Sequence, residues 1–226
     1  MSIWSKIKEA LSALSSGEGL ASVFERLTQP PEKTVAFTIA VIALGAKMAK
    51  ADGQVTRDEV LAFRQVFQIP RSEEHHAARV FDLARKDVSG YEVYASRIAR
   101  MFGAGSETLN DLLEGLFHIA LADGFYHPNE NAFLQQVSEI FGISDVQFRA
   151  LRARHVPDQV PDPYTVLGVS QEMPLEDIKK VWRGLVRECH PDRMIARGVP
   201  EEAIKMAQNR LIRINNAYDE ILGSRG

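Results

Sequence analysis

The chain has 226 residues, 45% of them hydrophobic and 25% charged, with a formal net charge of −3. That length holds one large or two small domains, and the composition is ordinary for a soluble globular protein. So small a net charge excludes a global field drawing the protein onto nucleic acid or anionic membrane. The single cysteine, Cys189, excludes an internal disulfide framework and suits a reducing, cytoplasmic compartment.

Nearly every segment reads helical, and strand-type alternation and hairpin dipeptides are scarce, so the expected fold class is all-α. Residues 1–29 form a lead-in. Ile3, Ile7, Leu11 and Leu14 lie at helical spacing beside Trp4, which predicts a short amphipathic helix over 3–15. Only Lys6 and Lys8 could meet lipid headgroups, so packing against the body is favoured over contact with a membrane surface. No long apolar core marks a signal peptide.

Residues 30–153 are expected to form the first domain, a helical bundle. Its predicted helices span 32–51, 56–68, 72–86, 90–102, 106–122, 128–141 and 144–153. Ser72, Ser106 and Ser144 stand at helix starts, and Gly53, Gly103, Gly124 and Gly142 follow apolar helical runs, as capping chemistry requires. Thr34–Ala46 is uncharged and apolar but shorter than the ~20 residues needed to cross a bilayer. It is expected to be a buried core helix.

An internal repeat divides this domain. Lys47 to Ile69 aligns with His118 to Ile140. Both copies carry Ala-Asp-Gly and a Glu seven positions after the Asp: Asp52 with Glu59, Asp123 with Glu130. Two helix–turn–helix units packed around the Thr34–Ala46 helix would build one compact bundle. This pattern resembles the TerB-like (tellurite-resistance) helical domain.

Helix starts alone account for the repeated acids. Thr56 with Glu59 forms a capping box, and in the second copy Pro128 takes the first helical position and Glu130 the third. The competing reading brings Asp52, Glu59, Asp123 and Glu130 together as hard oxygen ligands for calcium, magnesium or manganese. Neither loop has the alternating acidic ligands of a calcium loop. Capping is therefore the default, with no cofactor, and a divalent cation at the acidic repeat is the alternative that the TerB-like resemblance implies. His75, His76, His118 and His127 have no metal-ligand spacing and are expected to be solvated or capping.

Residues 154–162 contain Pro157 and Pro161 and lead into Pro163, a partly extended linker. Residues 163–226 read as a second module. A short first helix and a turn at Gly168 precede a long helix over about 175–189. Ile178, Val181, Trp182 and Leu185 form its apolar stripe, with Lys179, Lys180, Arg183 and Arg187 on the other faces. Pro191 ends that helix near His190. A third helix over about 200–222 offers Leu211, Ile214, Ala217, Tyr218 and Leu222 as its buried face. Two antiparallel helices with a tight exposed loop are expected.

Four features occur here in order: Asp162-Pro163-Tyr164 through Val169, the basic helix, His190-Pro191-Asp192, and Asn215-Asn216-Ala217-Tyr218. Together they resemble the J-domain of the DnaJ family, by which co-chaperones engage DnaK-class (heat shock protein 70) ATPases. The resemblance implies a partner-binding surface made of His190, Pro191, Asp192, Lys179, Lys180, Arg183 and Arg187. Asp192 offers a carboxylate to a partner arginine, and the cationic helix steers onto an acidic surface. Gly184 inside the helix and Cys189, where an aromatic residue is usual, depart from the pattern. With the TerB-like domain and a longer loop over Arg193–Pro200, the whole is similar to the DjlA subgroup, whose membrane anchor is not read in this chain.

The expected function is that of a J-domain co-chaperone rather than an enzyme. It would stimulate a DnaK, while the first domain recruits an unknown client or partner. The alternative is a TerB-like metal-responsive stress protein with an incidental J-like tail. An enzyme using Cys189 and His190 as nucleophile and base lacks an orienting third group.

Overall fold

The computed structural model describes residues 7, 33–51, 74–86, 90–122, 124–156, 161–197, 199 and 201–225. Ten helices and no strand occur among them, so the fold is all-α. The predicted helices over 3–15 and 56–68 lie outside the described residues, apart from the buried Ile7.

Helix α1 (Lys33–Ala51) is the axis of the N-terminal bundle. Every residue from Val35 to Met48 is buried, as expected of a helix apolar on all sides. Even Lys47 is covered, its ammonium 4.9 Å from the centre of the Tyr94 ring, an arrangement that offsets the cost of burying a cation. Around this axis pack α2 (Glu74–Lys86), α3 (Tyr91–Phe102), α4 (Glu107–Ala120) and α5 (Pro128–Phe141).

Local chemistry sets the element ends. Ser144 and Gln147 form the reciprocal capping box at the start of α6 (Asp145–His155). Gly142 ends α5 with φ 73°, and a Cβ there would also come within 3.2 Å of the Gly105 nitrogen. Both conformation and space therefore call for glycine. Ser106 departs from expectation. It holds the N-cap position of α4, but its side chain makes no capping bond and its Oγ is buried without a partner.

The C-terminal module contains α7 (Pro163–Leu167), α8 (Leu175–Glu188), α9 (Pro191–Ala196) and α10 (Glu201–Arg225). Helices α8 and α10 run antiparallel. Trp182 stacks on Tyr218 with ring centroids 4.4 Å apart and donates Nε1–H to Asn215 Oδ1 at 3.0 Å. Behind them Val166, Leu167, Ile178, Ile214, Ala217 and Ile221 make a second apolar core. The expected face of α10 needs one change: Ile221 is buried, while Leu222 is exposed.

The expected tight loop also contains a helix. Pro191 takes the first position of α9 and Asp192 sits in its first turn, both favourable at a helix start.

No hinge-like gap separates the two cores where α6 meets the module. Helix α6 continues to His155, Arg154 Nε donates to the Val166 carbonyl at 2.8 Å, and Val156 is buried in the first core. The C-terminal module thus rests on α6 and α4. A cavity of about 370 Å³ remains along the seam, lined by Asn110, Leu151, Arg154, Gly184, Leu185 and Arg210 among others.

Candidate partner-binding surface

Helix α8 displays Lys180, Arg183 and Arg187 to solvent, with Lys179 partly covered. Steps of four residues join Lys179, Arg183 and Arg187 along one side. Lys180 pairs with Asp177 of its own helix at 2.8 Å, an exposed pair that adds little stability. Hydrogen bonding to Asp177 also holds the Lys180 ammonium above its ordinary pKa.

At the end of α8 the chain bends. His190 is extended (φ −68°, ψ 130°), and its Nδ1 accepts from the Asp192 amide at 3.3 Å. That bond places the proton of the neutral ring on Nε2, which remains as a donor. The bend holds its two polar side chains outward: His190 is 60% exposed and Asp192 87%. His190, Pro191 and Asp192 thus stand together at the head of the hairpin, beside the cationic face of α8.

Behind that face lies a second ionic group, not expected from the sequence. Asp111 and Glu114 sit on α4 of the first domain, and both are buried. Arg197, just after α9, donates Nε–H to Asp111 Oδ2 at 2.8 Å. Arg210 of α10 reaches Glu114 Oε1 at 2.5 Å, and its Nη2 lies 3.7 Å from Asp111 Oδ1. His155 stacks on Phe117 and brings Nε2 within 3.8 Å of Glu114.

The two carboxylates titrate apart. Burial raises Asp111; Arg210 and Arg197 pull against it, Glu114 adds repulsion, and the outcome is about 7. Burial would raise Glu114 too, but Arg210, with His155 beside it, holds it down to about 2. Arg210 is correspondingly raised above its ordinary value, against its own desolvation. A signal for this group was present in the chain. Asp111 and Glu114 stand among Leu109, Leu112, Leu113, Leu116 and Phe117, a placement that points to burial or to a facing element.

Cys189 is buried, and burial pushes its thiol up. Arg210 Nε lies 3.1 Å from its Sγ, while His190 is engaged with the Asp192 amide. A raised thiol pKa beside an imidazole engaged elsewhere is not the arrangement of an activated nucleophile.

At the acidic repeat, Glu130 Oε2 accepts from the His127 amide at 2.8 Å, and Pro128 opens α5. Glu130 therefore caps a helix. Asp52, Glu59 and Asp123 lie outside the described residues, among which no cluster of metal-ligating side chains occurs. His75 and His127 are exposed. His118 differs from expectation, being half-buried, with its pKa lowered by burial and by His155.

Residues 38–153 match the family described as tellurite resistance protein TerB, and residues 162–224 match the DnaJ domain. Among curated relatives, a protein of Photobacterium profundum named co-chaperone protein DjlA is 25% identical, the match covering 98% of this chain and 89% of the relative. Its namesake in Aliivibrio fischeri is 28% identical over 86% of this chain and 81% of that protein. The Vibrio cholerae protein of the same name is 25% identical over 86% and 80%. No solved structure matches. Among the described residues, no helix is long and apolar enough to cross a membrane.

Proposed function

The chain belongs to the TerB family, as a DjlA-like protein ending in a DnaJ domain, and from that premise we propose that it stimulates ATP hydrolysis by a DnaK-class chaperone. The observation that carries this reading is the bend itself. His190 and Asp192 project into solvent from a short, proline-started helix beside Arg183 and Arg187.

The physical sequence is recognition, not chemistry on this chain. Lys179, Lys180, Arg183 and Arg187 steer the hairpin toward an acidic surface and raise the encounter rate. Asp192 then accepts a charge-assisted, bidentate hydrogen bond from an arginine of the chaperone. Pro191 restricts the bend, so little ordering entropy is lost on docking. His190 keeps Asp192 in place through the Nδ1 bond and offers Nε2–H outward. Binding that favours the hydrolysis-competent state of the chaperone shifts its equilibrium and accelerates turnover. The TerB domain contributes a client or partner.

Steady-state ATP turnover by a DnaK, measured with and without this protein, tests the reading. The wild-type chain raises turnover. His190→Gln abolishes the rise with its melting temperature unchanged, since glutamine can still accept from the Asp192 amide. Equal stimulation by both proteins would refute the assignment.

A further inference from the structure

The residues on either side of the exposed bend are held from behind by the other domain. Glu188, the last residue of α8, accepts from Arg197 Nη2 at 3.2 Å through its carbonyl, while Arg197 Nε reaches Asp111 of α4 at 2.8 Å. Cys189, immediately before His190, receives Arg210 Nε at 3.1 Å, while Arg210 Nη1 reaches Glu114 of α4 at 2.5 Å. Each arginine therefore has one end on the bend and the other on a buried carboxylate of the first domain.

Apolar packing follows the same path. Met194 of α9, Val199 and Ile204 are buried in the N-terminal core, not in the core of their own module. The segment after His190-Pro191-Asp192 is thus completed by α4 and its neighbours. The outward side of the bend, with His190 and Asp192, faces solvent, as do Arg193 and Ile195 beyond it.

We propose that the TerB domain braces the His190–Asp192 bend: Asp111 and Glu114 anchor Arg197 and Arg210, which fix the end of α8 and the loop after it in the shape that a chaperone engages. This inference rests on the co-chaperone reading for its consequence, but not for its structure. Arg197 and Arg210 are positioning residues. They meet no partner themselves and act by limiting how far the bend can open before docking. Buried, charge-assisted contacts suit that work, because loosening either leaves an uncompensated charge, and a bend already ordered loses less entropy on binding.

Two readouts on the full-length chain test the brace. In the protein alone, Arg197→Gln is expected to speed backbone amide exchange over Cys189–Arg197 by about tenfold, through easier local opening. Amides of α8 and α10 around Trp182 and Tyr218 should keep their wild-type rates. With DnaK added, the same variant needs about tenfold more protein for half-maximal stimulation, the maximal turnover being preserved. Arg197→Lys, which keeps one of the two contacts, falls between.

Should Arg197→Gln fail to fold, Asp111→Asn, assayed above pH 7 where Asp111 is ionised, removes the anchor's charge at constant volume and is read in the same way. Exchange over Cys189–Arg197 within about twofold of wild type in the folded variant overturns the brace. Exchange that rises equally throughout the hairpin also overturns it, because the contact would then be merely structural. A wild-type chain that never stimulates DnaK would defeat the co-chaperone reading, and the exchange measurement would still decide the brace.

Discussion

Arg183 and Arg210 are the same residue on the two long helices of one hairpin, yet their surroundings are opposite. Arg183 stands in solvent on α8, whereas Arg210 is buried against Glu114 and Asp111. In water an ion pair gains little beyond what hydration already provides. In the interior the charge has lost its water, so its partner becomes indispensable even when the pair adds little net stability over an apolar replacement. The exposed face can therefore be given over to recognition. The buried group holds the two domains in one arrangement. On the proposed reading similar cations do both jobs, and burial decides which.

The largest effect should come from cutting the buried group. Glu114→Ala leaves Arg210 without its closest partner and is expected to cost about 3–5 kcal/mol in denaturant unfolding. Arg183→Ala should change stability by less than about 0.5 kcal/mol, while it sharply reduces DnaK stimulation. If both variants lose stability alike, the division between recognition and anchoring fails.

Acid titration sharpens the same contrast. Glu114 is held near 2 in the fold against an ordinary 4.5. Its contribution is fully present above 4.5 and is lost as pH falls from there toward 2. Asp111 behaves in the opposite sense, near 7 in the fold against an ordinary 3.8. Its contribution is present below 3.8 and is lost as pH rises toward 7. Arg197, Arg210 and Glu114 are the charges that face it. The difference in unfolding free energy between Asp111→Asn and wild type should therefore move in favour of the variant from about pH 4 to 7, and then level off. A flat difference across that interval would mean that Asp111 stays ionised throughout.

Features set by sequence-local chemistry were legible in the chain. Ser144 with Gln147, Gly142, Glu130 and the Pro191 break all act within a few residues, and each was placed from its neighbours alone. The DnaJ domain was legible because four features occur in order along residues 162–224, of which His190-Pro191-Asp192 is one. The seam was not. Arg197 meets Asp111 across a separation of 86 residues, and Arg210 meets Glu114 across 96; helical periodicity carries no information at that range. Only the placement of two acids among Leu109, Leu112, Leu113, Leu116 and Phe117 hinted at it. Leu222 was misjudged for a simpler reason. Counting four on from Tyr218 overshoots a period of 3.6, and Ile221, seven on from Ile214, keeps the buried face. The short helix α9 was hidden because the proline that ended one helix also opened the next.

Gly184 provides the smallest test, and it lies between the two ionic regions. It sits in the interior of α8 and lines the seam cavity, and a Cβ there would meet nothing within 4 Å. Neither space nor contact calls for glycine at this position. Its backbone freedom in the unfolded chain is then a net cost, and Gly184→Ala should stabilise the protein by about 0.5–1 kcal/mol. Thermal or denaturant unfolding would show the gain, with DnaK stimulation unchanged because the substitution touches neither the exposed cations nor the buried group. A loss of stability would mean that α8 relies on bending at Gly184 to fit against α4 and α6, making the seam tighter than its cavity suggests. A gain in stability accompanied by weaker stimulation would place the flexibility of α8, rather than its charges, among the things a chaperone recognises.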